Sequence, residues 1–121
     1  MALIRKIEED TVQLWDSSTQ ILAIREAVEG NQVLVVLQGM LRSDTVHDLN
    51  DELMALTTLG MDLTVDMADV KSICAASQHV LLRVQQKMDD LGKGSLQLQK
   101  LPPVILEEFE KTGLSELLDI T

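Results

Sequence analysis

Ser72, Cys74 and Ser77 come nearest to residues that could do chemistry, because they cluster where a strand gives way to a helix. The stretch V-D-M-A-D-V-K-S-I-C-A-A-S-Q-H-V-L-L-R, residues 65–83, reads as a buried strand ending in acid, a short loop, and small residues opening an apolar-periodic helix. The first turn of a helix leaves backbone N–H groups without partners and favours negative charge. A phosphorylated hydroxyl is well placed there. The sequence supplies the place and withholds the acceptor, because Ala75 and Ala76 stand at the helix start. Ser72 and Ser77 are the nearest hydroxyls, and their plainer reading is loop and helix-start polarity. Cys74 reads first as a small residue packed at the junction, with a redox thiol as the sharper alternative.

Other chemistries find less support. His47 and His79 fall on different predicted helices, and no Cys or His spacing matches a metal site. Asp66 and Asp69 flank a predicted strand end, but no Gly-rich phosphate loop accompanies them, so they read as solvated acids. No Ser/His/Asp or Cys/His set occurs at informative spacing. The expectation is a protein that is not an enzyme and uses no cofactor and no metal.

Composition narrows the classes further. The chain has 121 residues, 45% of them apolar, which is enough for one domain with its own core. A single cysteine excludes an intrachain disulfide and fits a reducing compartment. The longest apolar run is far short of a membrane span, and M-A-L-I-R-K-I-E-E-D turns acidic too early for a signal peptide. The expected location is cytoplasmic, without membrane insertion. Twenty acidic residues against ten basic ones give a net charge of −10, which repels phosphate backbones. With no Tyr, one Phe and one Trp there is no platform for stacking bases, so nucleic acid is not an expected partner.

The elements that must position the junction follow from periodicity and turn residues. Residues 1–17 read as an N-terminal extension, helical because Leu3, Ile7, Thr11 and Leu14 recur at helical spacing. A strand over Thr11–Trp15 is the alternative. Trp15 covers a core edge or anchors an interface. Residues 21–28 and 32–40 read as strands joined by a hairpin at Gly30-Asn31. Ser43 or Asp44 offers an N-cap to a helix carrying Val46, Leu49, Leu53 and Leu56, which stops at Gly60. Leu63-Thr64-Val65 reads as a short buried strand. A second helix carries Val80, Val84, Met88 and Leu91 and ends at Gly92. Ser95–Gln99 suits an edge strand, and Pro102-Pro103 opens a third helix closed by Gly113. Residues 117–120 form a last strand or a turn. The order β-β-α-β-α-β-α, with a possible final β, implies an α/β fold: a mixed sheet of four to five strands with helices packed on it.

This order, with V-L-V-V-L-Q-G-M-L at 33–41, L-T-V-D-M-A-D-V at 63–70, the helix from Ala75 and K-T-G-L-S-E-L-L-D-I at 111–120, resembles the STAS domain of anti-sigma factor antagonists over roughly residues 18–121. The resemblance implies a non-enzymatic protein-binding module of bacterial signal transduction and transcription regulation. In many members the loop after the central strand reads Asp-Ser-Ser/Thr-Gly, and a partner serine kinase phosphorylates the first Ser, which releases the antagonist. Carried over, the Asp falls on Cys74, the phosphoacceptor on Ala75, the next hydroxyl on Ala76 and the Gly on Ser77. All four depart from the pattern, so phosphorylation at the family position is chemically impossible here. The implied partner-binding surface is Lys71, Ser72, Cys74, Ala75, Ala76, Ser77, Gln78 and His79. The implied partner is an anti-sigma factor or serine kinase, or another STAS protein in a scaffold, with a homodimer also possible. The alternative is a STAS-type regulatory subunit of a membrane transporter, docked on its ATPase.

Overall fold

The computed structural model describes residues 3–121. The elements are β1 (Ile4–Glu8), β2 (Thr11–Asp16), β3 (Thr19–Glu29), β4 (Gln32–Leu41), α1 (Val46–Thr57), β5 (Asp62–Ile73), α2 (Ala75–Leu91), β6 (Leu96–Gln99) and α3 (Pro103–Thr112), then a 3₁₀ turn at Leu114–Glu116. The six strands lie in one sheet in sequence order. β1 to β4 form an antiparallel meander, and β4, β5 and β6 run parallel. The fold is the expected mixed α/β arrangement, with six strands where four to five were anticipated.

The added strands are β1 and β2, and they correct the helical reading of residues 1–17; residues 1 and 2 lie outside the described part. The spacing from Leu3 through Ile7 to Thr11 mimics a helix only because it crosses a hairpin turn. Glu9 takes the left-handed φ of 51° that this turn requires. Within β2 the true period is two: Val12 and Leu14 are buried while Gln13 and Trp15 lie on the other face. Leu14 is 1% exposed, so this segment is built into the core. Ile7 stays 61% exposed.

Register explains the core. Val12 pairs with Ile24 and Ile24 with Leu37; Val35 pairs with Val65 and Val65 with Leu98. These rows of β-branched and Leu side chains share one face. They form a single cluster with Leu49 and Leu53 of α1, Leu81, Val84 and Met88 of α2, and Ile105 and Phe109 of α3. Two polar links tie α2 to the segment after it. Thr112 Oγ1 donates to Gln78 Oε1 at 2.7 Å, and Gln85 Nε2 donates to the Leu117 carbonyl at 2.7 Å. The C-terminal residues 117–120 form no strand: a turn follows the 3₁₀ segment, and Ile120 makes a single isolated parallel bridge to Leu98 of β6.

The N-cap expectation also needs correction. Thr45, not Ser43 or Asp44, caps α1, and it makes no side-chain cap bond. Its hydroxyl accepts from the Arg42 N–H and donates to the Arg42 carbonyl, both at 3.0 Å, so it closes the preceding turn. Asp44 is held by Arg42.

Candidate functional site

The junction is built by a strand that does not end where the acids begin. β5 runs on from Asp62 to Ile73 through two irregularities. The first lies where Val36 pairs with Asp66 and Gln38 with Asp69, leaving an extra residue on β5. The Asp66 carboxylate accepts from the Ala68 N–H at 3.0 Å and so holds that bulge. The second lies where Gly39 pairs with Val70 and Met40 with Ser72. The buried apolar residues of β5 are therefore Leu63, Val65 and Met67 at spacing two, then Val70 and Ile73 at spacing three. The expected short loop shrinks to one residue, Cys74, whose N–H donates to the Leu41 carbonyl at 2.9 Å.

Cys74 is the N-cap of α2, with extended backbone at φ −86° and ψ 163°. It makes no side-chain cap bond. Its Sγ lies 3.2 Å from Ser77 Oγ, one turn into the helix. Ser77 and Gln78 are 0% and 1% exposed. Ser77 faces the core, where a small side chain lets the helix approach the sheet. Gln78 is bound by Thr112. Neither can touch a partner, which removes two of the eight residues from the expected surface. Lys71, Ser72, Ala75, Ala76 and His79 are exposed, and Cys74 is half-buried. The helix start thus presents the methyl groups of Ala75 and Ala76 to solvent.

The two parallel strands β4 and β5 end together, Leu41 opposite Ile73. The starts of α1 and α2 accordingly lie beside each other at the carboxyl ends of these strands, the usual place for a site in such sheets. Arg42 and Asp44 occupy the neighbouring turn; the sequence reading offered Asp44 only as an N-cap and missed its pairing with Arg42. Arg42 Nε donates to Asp44 Oδ1 at 3.0 Å. This bond raises the Arg42 guanidinium above its ordinary range and lowers the Asp44 carboxyl below its own. The i,i+2 pairing of opposite charges in R-S-D was the available signal. Behind the junction, Gln20, Gln38, Gly39, Asp69 and Lys71 line an open groove of about 330 Å³. Gln38 Nε2 donates to Asp69 Oδ2 across it at 3.4 Å. A Cβ on Gly39 would lie 2.1 Å from the Ile21 carbonyl oxygen, and φ there is +119°, so only glycine lets β3 and β4 close up.

The remaining candidates are dispersed. His47 lies 3.2 Å from Asp51 on the exposed side of α1, four residues on, and is remote in sequence and element from His79 on α2. Asp66 and Asp69 serve the bulge and the groove. Among the described residues, no three His, Cys, Asp or Glu side chains gather as a metal site. No helix there is long and apolar enough to cross a membrane. A second missed feature lies at the edge of α1. Arg5 of β1 pairs with Glu52 at 2.7 Å and Asp48 at 3.5 Å. Glu26 of β3 lies against Glu52. Burial and this second carboxylate push the Glu26 carboxyl up to about 7.

Known proteins give the same picture. A family model described as "Mlab, STAS domain" matches residues 24–119. No curated protein matches the sequence. Among solved structures, the chain is similar to an anti-sigma factor antagonist from Mycobacterium paratuberculosis, with a TM-score of 0.74 at 14% identity over 82% of this chain and 84% of that one. It is also similar to a STAS domain protein from Planctomyces limnophilus, with a TM-score of 0.69 at 14% identity over 80% and 87% of the two chains. The Bacillus cell fate determinant SpoIIAA in its phosphorylated form gives a TM-score of 0.62 at 13% identity over 81% and 90%. At such identities these likenesses speak for the fold. The family match covers most of the chain, and with the strand–helix junction in its expected place the chain belongs to the STAS domain family.

Proposed function

We propose that this chain is a non-enzymatic, cytoplasmic protein-binding module whose partner surface is the start of α2, formed by Lys71, Ser72, Ala75, Ala76 and His79 with Arg42 and Asp44 beside it. The observation that carries the reading is the exposed pair Ala75-Ala76 at a helix N-terminus whose only nearby hydroxyl in the helix, Ser77, is buried. Such a surface is neutral at its centre and polar around it, the pattern of a protein contact rather than of a reaction centre. Ala75 has no oxygen to phosphorylate. Release by adding charge at that position is therefore unavailable, and binding is constitutive. The partner is an anti-sigma factor, a serine kinase-like protein or another STAS protein.

The same observation favours a second reading. A permanent subunit needs no release switch, so a regulatory subunit seated on the ATPase of an ABC-type transporter is equally served by Ala75. A photo-cross-linking residue at position 76, compared with one at Asp90 near the far end of α2, tests the surface and separates the partners. An adduct from position 76 alone supports the reading, and its mass and sequence name the partner class. Adducts of equal yield from both positions, or from Asp90 alone, overturn it.

A further inference from the structure

We infer that β1 is a self-complementary edge through which two copies of this chain join their sheets, independently of the partner at the α2 start. β1 is the outermost strand on its side, and beyond it no strand is found among the described residues. All five of its residues are exposed, with Ile4 at 55% and Ile7 at 61%. An edge strand presents a row of unpaired backbone N–H and C=O groups, which pairs readily with another strand. Charged side chains usually guard such an edge, and β1 carries three, so the question is whether their order repels or matches a second copy.

The order matches. Within β1, residues 6–8 read Lys6-Ile7-Glu8, a base, an apolar residue and an acid. The sign pattern reverses about Ile7. In an antiparallel pair of β1 strands with Ile7 opposite Ile7, each Lys6 faces a Glu8. Opposite charges directly across a ladder stabilise it, and like charges destabilise it. An isologous two-fold contact makes each pairing twice.

Register parity makes this alignment specific. Side chains opposite one another in an antiparallel pair lie on the same face, so a continuous sheet with both helical layers on one side needs a residue on the two-fold axis. The neighbouring alignments of that kind place Lys6 against Lys6 or Glu8 against Glu8. Of these three, the alignment on Ile7 alone is free of such a clash, and it also covers the two exposed Ile7 side chains with each other. Lys6 already lies over the Trp15 ring at 4.7 Å, and Arg5 is held by Asp48 and Glu52, so both bases are oriented by their own subunit. One short strand pair buries little area, so the dimer is weak, concentration-dependent and loosened by salt.

Sedimentation equilibrium of the full chain over a range of concentrations at low and high salt tests the inference. The wild type self-associates to a dimer at low salt and dissociates as salt rises. Lys6→Glu raises the dissociation constant about tenfold, because two attractive pairs become repulsive. The double variant Lys6→Glu with Glu8→Lys restores dimerisation, since it exchanges the two sides of each pair; an unchanged melting temperature shows that the single variant is folded. A wild type that stays monomeric throughout overturns the inference, as does a Lys6→Glu chain that dimerises like the wild type or a double variant that remains as weak as the single one.

Discussion

Cys74 Sγ and Ser77 Oγ sit 3.2 Å apart across the first turn of α2, facing inward, while Ala75 and Ala76 between them face solvent. The inward pair packs the helix onto the sheet, and the outward pair lies at the centre of the proposed partner surface. This division turns the departures from the family motif into statements about phosphate. Protein purified from its native cells is expected to show an intact mass without stoichiometric phosphate. Phosphate on Ser77 would require the first turn of α2 to open, because that hydroxyl is fully buried. Stoichiometric phosphate mapped to Ser72 or Ser77 would show that the switch was moved along the chain, and constitutive binding would then be wrong.

Stability should fall as pH rises toward neutrality and beyond. The Glu26 carboxyl is raised from 4.5 to about 7, so between those values the folded state holds a proton that the unfolded chain has released. Its contribution is present in full below about 4.5 and is lost as pH climbs through about 7. The Asp44 carboxyl is lowered and acts in the opposite sense, but below its ordinary 3.8 and outside this window. Thermal melts at pH 5 and pH 8 are expected to show a lower Tm at pH 8, and Glu26→Gln is expected to narrow the gap. An unchanged gap in the variant would place the pH dependence elsewhere.

Gly39→Ala should be among the most damaging single changes. The added methyl meets a backbone oxygen rather than a movable side chain, and φ of +119° suits glycine alone. A loss of about 2–4 kcal/mol in urea unfolding is expected. Gly30→Ala is the comparison: its φ of +62° carries strain, but its Cβ would meet nothing within 4 Å. Equal losses in the two variants would contradict the close approach of β3 and β4 at Gly39.

Leu14→Ala asks whether the N-terminal hairpin belongs to the core. Leu14 is 1% exposed and packs with the helix-facing rows, so truncation is expected to cost about 2–4 kcal/mol. A cost below about 0.5 kcal/mol, as for a surface site, would restore the reading of residues 1–17 as a separate extension.

The parts of the fold carried by simple periods were legible in the sequence. Val46, Leu49, Leu53 and Leu56 announced α1, and Gly92 and Gly113 closed α2 and α3 with left-handed φ of 69° and 79°. The misread parts are those where a turn or bulge breaks the period. β5 was seen as three residues, because its two bulges change the buried spacing from two to three after Met67. The hairpin β1–β2 was read as helix because its turn is Glu9-Asp10, which lacks the Asn-Gly signal of such turns. At the site, the two alanines that open α2, Ala75 and Ala76, were visible in the residue types. The burial of Ser77 and Gln78 was not, since it depends on how α2 is rotated against β5 and α3.

Charge placed at the start of α2 tests the central claim most directly. A carboxylate there suits an isolated helix terminus, by about 0.3–1 kcal/mol, while an unpaired charge inside an interface costs several kcal/mol. Ala75→Asp and Ala76→Glu should therefore leave thermal melting unchanged or slightly raised, and should lower recovery of the native partner from cell extract by tenfold or more. Undiminished recovery with both variants folded would contradict the account and move the binding surface away from the α2 start.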